Sequence, residues 1–237
     1  MALAPPAEGT VLETRRWAPG AHWLRVRAER EGRPLRWRAG QHVRLLPPPP
    51  LRPFYLSIAS APDPARPGQL ELLVGAAPGS ELDRWLETLG PDASIRLEGP
   101  AGTLGVPRAD EPLLLVAAGT GITPLRAILQ ATLREPADAR PPVLLLFGAR
   151  SPERLWFHEE FETLAAREDR FDYWPTLSGP APGWSGRRGR VQRHLEEALA
   201  RLTPSSAVLC GPPQMVRQVR EALLAGGLPP DRIASEG

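Results

Sequence analysis

Residues 113–130, LLLVAAGTGITPLRAILQ, decide the fold of the second half of the chain. Six apolar residues run directly into a Gly-Thr-Gly turn, and a helical pattern begins only a few residues later. A buried strand that leads at once into a helix is the building unit of a parallel sheet. Glycines let the backbone turn tightly, and the first turn of the following helix attracts anions. The stretch therefore predicts an anion-binding turn at the carboxyl edge of such a sheet.

The rest of the second half continues this alternation of apolar strands and helices. The pattern predicts strands at 113–118, 143–147, 171–177 and 207–210. It predicts helices at 123–134, 153–166, 191–202 and 213–225. Strands as apolar as these are typical of a parallel sheet that helices cover on both faces. We therefore expect an α/β domain with a parallel sheet.

The first half has a different pattern, in which short strand-like segments are separated by proline and glycine. The six segments are TVLETRRWA, HWLRVRAER, QHVRLLP, YLSIAS, LELLVGA and SIRLEGP. One helical stretch, SELDRWLETLG, interrupts them between Ser80 and Gly90. Short strands at this spacing favour a six-stranded antiparallel β-barrel. The change of pattern near residue 105 predicts two domains, 1–105 and 106–237.

The composition limits the classes of function. A formal net charge of +2 over 237 residues gives no broad field, so neither nucleic acid nor a membrane is expected as a partner. The single cysteine, Cys210, excludes an internal disulfide and a four-thiolate iron–sulfur cluster within the chain. The four histidines lack metal-ligand spacing, and no metal site is expected. No apolar run reaches the ~18 residues of a membrane span and the start lacks a signal-peptide pattern, so we expect a cytoplasmic location.

A second strand ends in a similar turn in AVLCGPPQMVRQV, residues 207–219. In a parallel sheet, Cys210 at the end of this strand would stand beside the Gly-Thr-Gly turn. A lone cysteine in an apolar setting is often an inert core residue. A second Gly-Pro turn at the same sheet edge favours a ligand-facing role instead.

Two helix starts offer N–H groups and a positive dipole end to an anion. After the Gly-Thr-Gly turn, we expect Thr123 to cap the helix and Pro124 to occupy its first position. In the first half, Gly79 and Ser80 precede the single predicted helix. The alternative for that second start is an ordinary capped helix without a ligand.

The stretch LRPFYLSIAS, residues 51–60, carries groups suited to a flat anionic ligand. Arg52 offers a cation, Tyr55 a ring and Ser57 a hydroxyl. On a strand, Tyr55 and Ser57 share one face while Leu56 points away. The alternative is an ordinary barrel strand that begins with an exposed arginine.

Taken in order, these four motifs resemble the ferredoxin–NAD(P)H reductase superfamily. The resemblance extends in particular to NAD(P)H–flavin reductases and to stand-alone FAD-dependent reductase modules without an iron–sulfur domain. Its most specific part is Gly-Thr-Gly-Ile-Thr-Pro combined with the later Cys-Gly-Pro-Pro. In that family a β-barrel binds the flavin and the following α/β domain binds the pyridine nucleotide. The same two roles are implied here.

For the barrel, the resemblance implies five flavin-binding residues. They are Arg52, Tyr55, Ser57, Gly79 and Ser80. Ser57 would lie near the flavin N5, where hydride arrives, and Gly79 and Ser80 would take the flavin phosphate. The chain departs from the family's Arg-x-Tyr-Ser element because Leu56 separates Tyr55 from Ser57. The implied flavin is FAD rather than FMN.

For the α/β domain, the resemblance implies binding of NADH or NADPH. The residues implied to hold its pyrophosphate are Gly119, Thr120, Gly121, Thr123 and Pro124. Those implied to border the nicotinamide are Cys210, Gly211 and Pro212. Glu236 resembles an acidic residue found near the flavin at the family's carboxyl end. Catalytic roles around hydride transfer are thus implied for Ser57, Cys210 and Glu236.

The choice between the two nucleotides depends on arginines near the sheet edge, because a 2′-phosphate requires a cation there. Arg150 follows LLLFGA and is a candidate cofactor-binding residue. Further candidates follow SGPAPGW, namely Arg187, Arg188 and Arg190. Ser178 is followed by glycine rather than by the arginine common in NADPH-preferring relatives, which favours NADH.

The implied activity is hydride transfer from NAD(P)H to FAD, followed by delivery of electrons to an external acceptor such as a ferredoxin, a flavodoxin or an oxygenase component. One alternative is an NAD(P)H:flavin reductase that releases free reduced flavin. A second alternative is a non-catalytic electron-transfer or regulatory subunit of a larger complex. A basic face that includes Arg15, Arg16, Arg25 and Arg27 would favour an acidic ferredoxin.

Overall fold

The computed structural model describes residues 5–107, 110–135 and 141–236. The contacts within the chain divide it into two compact units. The first unit comprises Met1–Thr103 and Arg126–Ala131, and the second comprises Leu104–Leu125 and Thr132–Gly237. Each unit has its own sheet and its own hydrophobic core.

The first unit is an antiparallel barrel. Its strands are β1 (Ala7–Ala18), β2 (Ala21–Arg30), β3 (Arg33–Pro34), β4 (His42–Leu46), β5 (Phe54–Ser57), β6 (Gln69–Gly75) and β7 (Ser94–Ala101), and its helix is α1 (Glu81–Thr88). Six strands follow one another in a ring, in the order β1, β2, β6, β5, β4 and β7. The ring closes just after β5 at an antiparallel bridge between Ile58 and Leu72. The predicted six-stranded antiparallel barrel is confirmed, and β3 adds a short hairpin to β2.

Alternation of side chains along the strands fills the barrel. Leu24, Val26 and Ala28 on β2 are fully buried in its core. Leu86 on α1 and Leu89 just after it pack against the same core, so the helix covers part of the barrel interior. Each fully buried leucine of this kind contributes roughly 1.5–3 kcal/mol relative to an exposed one.

The second unit is built on a six-stranded parallel sheet. Its strands are β8 (Leu113–Ala118), β9 (Val143–Ala149), β10 (Phe171–Leu177), β11 (Arg187–Arg188), β12 (Ser206–Cys210) and β13 (Ile233–Glu236). The α-helices that follow the strands are α2 (Ile122–Leu133), α3 (His158–Ala165), α4 (Leu195–Leu202) and α5 (Pro213–Ala225). The strand order is β11, β10, β9, β8, β12, β13, and every adjacent pair is parallel. The predicted α/β class with a parallel sheet is confirmed.

The strand order places a topological switch point between β8 and β12. From β8 the chain moves to β9 on one side, whereas β12 lies against β8 on the other side. Open parallel sheets bind ligands in the crevice at such a point, outside the carboxyl ends of the strands. The Gly-Thr-Gly turn follows β8, and Cys210 ends β12. The two turns predicted to bind ligand therefore flank the switch point.

Four local features differ from the prediction, and the first is the two-residue strand β11, Arg187–Arg188, which was not predicted. The strand β13, Ile233–Glu236, was not predicted, because four residues between two loops carry too weak a pattern. The helix predicted at 153–166 begins only at His158, because Phe157 adopts a left-handed conformation with φ of 62°. The helix predicted at 191–202 opens with a 3-10 turn over Val191–His194 before α4.

Within the described residues, no helix is both long enough and apolar enough to cross a bilayer. The longest described helix, α5, has 13 residues. A spanning helix needs about 20. In the same part of the chain, His, Cys, Asp and Glu side chains form no group of three able to hold a metal ion.

Candidate active site

The turns after β8 and β12 pack backbone against backbone. A Cβ atom on Gly121 would lie 2.1 Å from the carbonyl oxygen of Cys210. Gly211 has φ of 153°, and a Cβ atom there would lie 3.0 Å from the carbonyl oxygen of Ala118. At Gly121 only glycine permits the approach, since real Cβ atoms do not come within 3.0 Å of another heavy atom, and at Gly211 the contact is tight and the positive φ favours glycine. The sequence prediction that Cys210 stands beside the Gly-Thr-Gly turn agrees with this geometry.

The helix start at this turn differs from the prediction in one detail. Gly119–Gly121 form a 3-10 turn that continues directly into α2 at Ile122. Thr123 therefore lies inside the helix and does not cap it, and its hydroxyl donates a 2.8 Å hydrogen bond to the carbonyl oxygen of Thr120. Pro124 is the third helical residue rather than the first, a position where a missing N–H costs no helical hydrogen bond. The positive end of the helix remains directed at the sheet edge.

A cleft of about 580 Å³ opens at this edge, within the second unit. Its wall is formed by the segments that follow four strands of the sheet. The lining residues lie at or just beyond the carboxyl ends of these strands: Ala118 and Gly119 at the end of β8, Gly148–Arg150 at the end of β9 followed by Arg154 and Trp156, Ser178 after β10, and Pro212, Gln214 and Met215 after β12. Gly189–Gln192 complete it. A volume of this size is within the range of small-molecule and cofactor sites.

Only some of the residues predicted to bind the nucleotide line this cleft. Gly119, Arg150 and Pro212 line the cleft. The other predicted residues of the two turns are Thr120, Gly121, Thr123, Pro124, Cys210 and Gly211, and they lie in the same turns without lining it. Sequence reasoning missed Arg154 and Trp156, although both follow the strand that carries Arg150 by only a few residues.

Charge in the cleft is of one sign. Three arginines line it, Arg150, Arg154 and Arg190, and no Asp or Glu is among its described lining residues. Arg187 and Arg188, the other candidates from the sequence, are used elsewhere. Arg187 pairs with Glu197, and Arg188 donates to two backbone carbonyl oxygens. The cleft is therefore suited to a ligand that carries several negative charges.

Cys210 is a buried thiol at the edge of the cleft, 8% exposed. Burial and, to a smaller extent, the negative charge of Glu236 together raise the pKa of its thiol to about 12. In the register of β12 and β13, Cys210 is paired with Glu236. The structure thus brings two of the three predicted catalytic residues together. A thiol with this pKa stays protonated at neutral pH, so Cys210 is a hydrogen-bond donor rather than a nucleophile.

In the first unit, β5 presents Tyr55 to solvent, with 69% of its surface exposed. Its neighbours Phe54 and Leu56 pack against the barrel core instead. The additional Leu56 therefore keeps the alternation of the strand intact, and Tyr55 faces outward. Arg52 precedes β5 and is exposed, and it does not line the groove around Tyr55.

The groove around Tyr55 has a volume of about 340 Å³. Across from β5, His42 is paired with Ser57 and Arg44 with Tyr55. The His42 ring meets the Tyr55 ring edge-on, with centroids 5.4 Å apart, and the Arg44 guanidinium lies 6.0 Å from the Tyr55 ring centroid. Glu98 accepts a 2.9 Å hydrogen bond from Arg44. These neighbours hold an aromatic ring that is open on one side.

The start of α1 is occupied by its own side chains. The Ser80 hydroxyl oxygen accepts from the Asp83 N–H at 3.1 Å, and the Asp83 carboxylate accepts from the Gly79 N–H at 2.8 Å. Asp83 is 2% exposed and also lies 2.6 Å from the Nε2 atom of His22. The hydrogen bond with His22, then that with Gly79, lowers the pKa of Asp83. A carboxylate already stabilises this helix start, and the predicted phosphate role of Gly79 and Ser80 stays a prediction.

The fold and the cleft define a class of protein: an antiparallel barrel joined in one chain to a parallel α/β unit with a cationic cleft at its switch point. The family model for an oxidoreductase NAD-binding domain matches residues 115–221. The chain is 38% identical over 231 residues to ferredoxin–NADP reductase B of Sorangium cellulosum, which covers 93% of this chain and 92% of the relative.

Two further comparisons agree. The chain is 33% identical over 184 residues to the xylene/toluene monooxygenase electron transfer component XylA of Pseudomonas putida, covering 75% of this chain and 50% of that protein. The crystal structure of the Amycolatopsis cytochrome P450 reductase GcoB superposes with a TM-score of 0.81 at 29% identity, covering 98% of this chain and 69% of that one. The chain belongs to the ferredoxin–NAD(P)H reductase family of NAD(P)H-dependent flavoprotein oxidoreductases. FAD and NAD(P)H are the cofactors of that family, and both expectations are confirmed at this level.

Proposed function

We propose that this chain takes hydride from NADPH to FAD and passes the electrons to an external redox protein. The observation that carries the proposal is the cleft at the switch point, where Arg150, Arg154 and Arg190 meet without an opposing carboxylate among the described lining residues. When bound, the nucleotide would supply a hydride, and the flavin would accept it and pass its two electrons to the acceptor with release of the proton. The protein supplies binding, orientation and a fixed electrostatic environment.

The second unit fits a pyridine dinucleotide. Gly119 has a positive φ and no neighbouring atom within 4 Å of a Cβ position, so its backbone is open to an approaching ligand. The start of α2 then offers a positive dipole end to the pyrophosphate. Cys210 is held protonated beside Glu236, where it is able to donate a hydrogen bond to a bound nicotinamide.

The arginines of the cleft favour NADPH over NADH. An acidic side chain that accepts hydrogen bonds from the adenosine ribose is the usual mark of an NAD site, whereas arginine accommodates a 2′-phosphate. The cleft has three arginines and no such acid among its described residues. The glycine after Ser178 favours NADH, but Arg150 and Arg154 bring positive charge to the cleft from the end of another strand and therefore favour NADPH.

The first unit fits a flavin through Tyr55. An exposed ring held by His42 and Arg44 is a stacking surface for a flat aromatic group. Ser57, on the same strand and paired with His42, remains the proposed residue near the flavin N5. Arg52 remains a proposed flavin-binding residue, since it is exposed and its guanidinium is suited to an anionic ligand.

The absorbance spectrum of the purified protein tests the proposal. We expect flavin absorbance that survives gel filtration and is bleached anaerobically by NADPH at lower concentration than by NADH. Retention of flavin separates a bound prosthetic group from the release of free reduced flavin as product. A protein whose bound flavin is bleached by neither nucleotide would not be a reductase, and the proposal would be wrong.

A further inference from the structure

One side of the cleft, Gly189–Gln192, is tied to strand β10 by a buried hydroxyl. Thr176 has no exposed surface, and its hydroxyl donates a 2.8 Å hydrogen bond to the carbonyl oxygen of Gly189. The N–H of Gly189 donates in turn to the carbonyl oxygen of Leu177 at 2.8 Å. Both backbone polar groups of Gly189 are therefore bound by consecutive residues of the strand.

His194, in the 3-10 turn before α4, joins the same network. Its Nε2 atom lies 3.0 Å from the Thr176 hydroxyl oxygen and 3.1 Å from the carbonyl oxygen of Arg188. The hydroxyl has a single hydrogen, which it donates to Gly189, so toward His194 it acts as an acceptor. The Nε2 atom therefore carries the ring hydrogen and shares it between Thr176 and Arg188.

The environment of His194 keeps this arrangement in one protonation state. Burial is the largest influence and lowers the pKa of His194, whereas the hydrogen bond to the Arg188 carbonyl oxygen acts in the opposite direction. The charges of Arg187 and Arg193 lower the pKa as well, and that of Glu197 raises it. The ring is therefore neutral at pH 7, and its one hydrogen stays on Nε2.

The network holds the backbone that leads into Arg190. The Arg190 side chain lines the cleft and forms no ion pair among the described residues. Its placement therefore depends on its backbone. The two preceding carbonyl oxygens, of Arg188 and Gly189, are bound by His194 and Thr176, and that of Arg190 itself accepts from the Arg193 N–H at 3.0 Å. The guanidinium thus extends from a backbone that is fixed on both sides.

The strand register indicates which phosphate Arg190 meets. Ala118 of β8 lies beside Gly148 of β9, and Gly148 lies beside Thr176 of β10. Two strand spacings place Thr176 roughly 10 Å from the end of β8, where the Gly-Thr-Gly turn and the pyrophosphate are expected. The nicotinamide is proposed to lie at Cys210, on the opposite side of β8. The adenosine half therefore extends toward β10 and brings its ribose to Arg190.

We propose that Thr176 and His194 are positioning residues that hold Arg190 for the 2′-phosphate of NADPH. The inference rests on the proposed function and adds to it two residues that act through Arg190, since neither lines the cleft. A guanidinium binds a phosphate through paired hydrogen bonds only when its planar fork is correctly oriented. A backbone fixed in advance also reduces the conformational freedom that is lost on binding.

The test removes one hydroxyl. Thr176→Val replaces it by a methyl group and leaves the Gly189 carbonyl oxygen without its donor, whereas Thr176→Ser keeps the hydroxyl. Ser206→Ala is the matched control, because it removes a buried hydroxyl from the same sheet that has no partner among the described residues. Calorimetry measures the dissociation constants of NADP⁺ and NAD⁺ for each purified protein. Circular dichroism and urea midpoints establish that each variant is folded.

We expect Thr176→Val to raise the dissociation constant of NADP⁺ by about tenfold, the effect of losing one charged hydrogen bond. The dissociation constant of NAD⁺ stays at the wild-type value, and so do both constants in Thr176→Ser and Ser206→Ala. Equal losses for NADP⁺ and NAD⁺, or a Thr176→Ser protein as weak as Thr176→Val, would overturn the proposal. Should Thr176→Val fail to fold, His194→Leu removes the other hydrogen bond of the network and is measured in the same way.

A double variant separates positioning from a general structural role. Because Thr176 acts through Arg190, Thr176→Val/Arg190→Ala should bind NADP⁺ no more weakly than Arg190→Ala alone. Losses that simply add, or an Arg190→Ala protein with unchanged NADP⁺ affinity, would contradict the positioning role. A wild-type protein whose flavin is not bleached by NADPH would reject the proposed function instead, and NADP⁺ calorimetry would still decide the roles of Thr176 and His194.

Discussion

The carbonyl oxygen of Cys210 lies 2.1 Å from the point that a Cβ atom of Gly121 would occupy. The turn after β8 and the turn after β12 therefore pack in direct backbone contact, and this contact is possible because Gly121 has no Cβ atom. Gly121→Ala forces them apart, and we expect it to weaken NADPH binding at least about tenfold and to lower the midpoint of urea unfolding. Titration of nucleotide against the flavin spectrum measures the first effect, and fluorescence in urea measures the second.

The matched control is Gly90→Ala, where a Cβ atom would meet nothing within 4 Å. That variant keeps both nucleotide affinity and stability close to wild type, because no steric conflict arises. A Gly121→Ala protein with unchanged affinity and stability would mean that the two turns separate at no cost, contrary to the close packing seen here.

The Cys210 thiol is expected to be chemically inert in the folded protein. With a pKa raised to about 12 by burial and by Glu236, the thiolate is about one part in ten thousand at pH 8. Iodoacetamide should therefore alkylate the native protein far more slowly than the protein in urea. Mass spectrometry of the time course measures both rates.

The Glu236→Gln variant tests how far the charge of Glu236 contributes to the raised pKa of Cys210. Removal of the carboxylate charge stabilises the thiolate, so the pKa of Cys210 falls and native alkylation becomes faster at a given pH. Native alkylation at pH 7 that matches the rate in urea would contradict a buried, protonated thiol.

Acidification should remove a specific part of the barrel's stability. Because hydrogen bonds from His22 and Gly79 lower the pKa of Asp83 below its ordinary 3.8, the ionised carboxylate stabilises the fold above that pH. This contribution is complete above about pH 4 and is lost as the pH falls through the lowered pKa. Wild-type urea midpoints measured from pH 6 to pH 3 should decline most steeply below pH 4.

Asp83→Asn should be less stable than wild type at pH 6, and the difference should shrink as the pH approaches 3. Glu81→Gln is the control, since Glu81 is exposed in the same helical turn and has no ion pair among the described residues. A constant difference between wild type and Asp83→Asn over the whole range would show that the carboxylate charge plays no part.

The three arginines of the cleft should set the preference for NADPH. Loss of a charged hydrogen-bond donor from a bound phosphate costs about 1.5–3 kcal/mol, or roughly 10- to 100-fold in affinity. Arg150→Ala, Arg154→Ala and Arg190→Ala are measured separately with both nucleotides. The variant that contacts the 2′-phosphate raises KM for NADPH by this factor and leaves KM for NADH nearly unchanged. Parallel increases for both nucleotides in all three variants would mean that these arginines bind the shared pyrophosphate.

The fold was largely predictable because its elements are strongly patterned. The strand Leu113–Ala118 is apolar throughout. In the barrel strands apolar and polar residues alternate, and prolines and glycines separate one strand from the next. The strand Ile233–Glu236 was missed because it owes its existence to pairing with β12 rather than to its own sequence. The late start of α3 at His158 was missed for a similar reason, since no sequence pattern predicts the left-handed backbone conformation of Phe157.

Parts of the candidate site were predictable where residues able to bind a ligand stand next to a glycine or proline turn in the sequence. Glycine and proline turns located the edge of the sheet, and Arg150 follows directly from a strand end. Arg154 and Trp156 reach the same cleft only because the chain folds back after β9. The pairing of Asp83 with His22 joins residues far apart in sequence, so no local pattern predicts it, although Ser80 and Asp83 have the spacing of a reciprocal helix cap.

Tyr55 should contribute to flavin binding through its ring and not through its hydroxyl. The ring is 69% exposed and steadied edge-on by His42, so a flat ligand gains stacking area without distorting the strand. Tyr55→Phe should retain flavin with near-wild-type affinity, whereas Tyr55→Ala should raise the flavin dissociation constant about tenfold. Fluorescence quenching of added FAD on the flavin-depleted protein measures both constants. Leu56→Ala is the matched control, because it removes a core contact from the same strand and so lowers stability without removing the stacking ring. If Leu56→Ala weakened FAD binding as much as Tyr55→Ala, the loss would reflect a loosened barrel and Tyr55 would have no direct role.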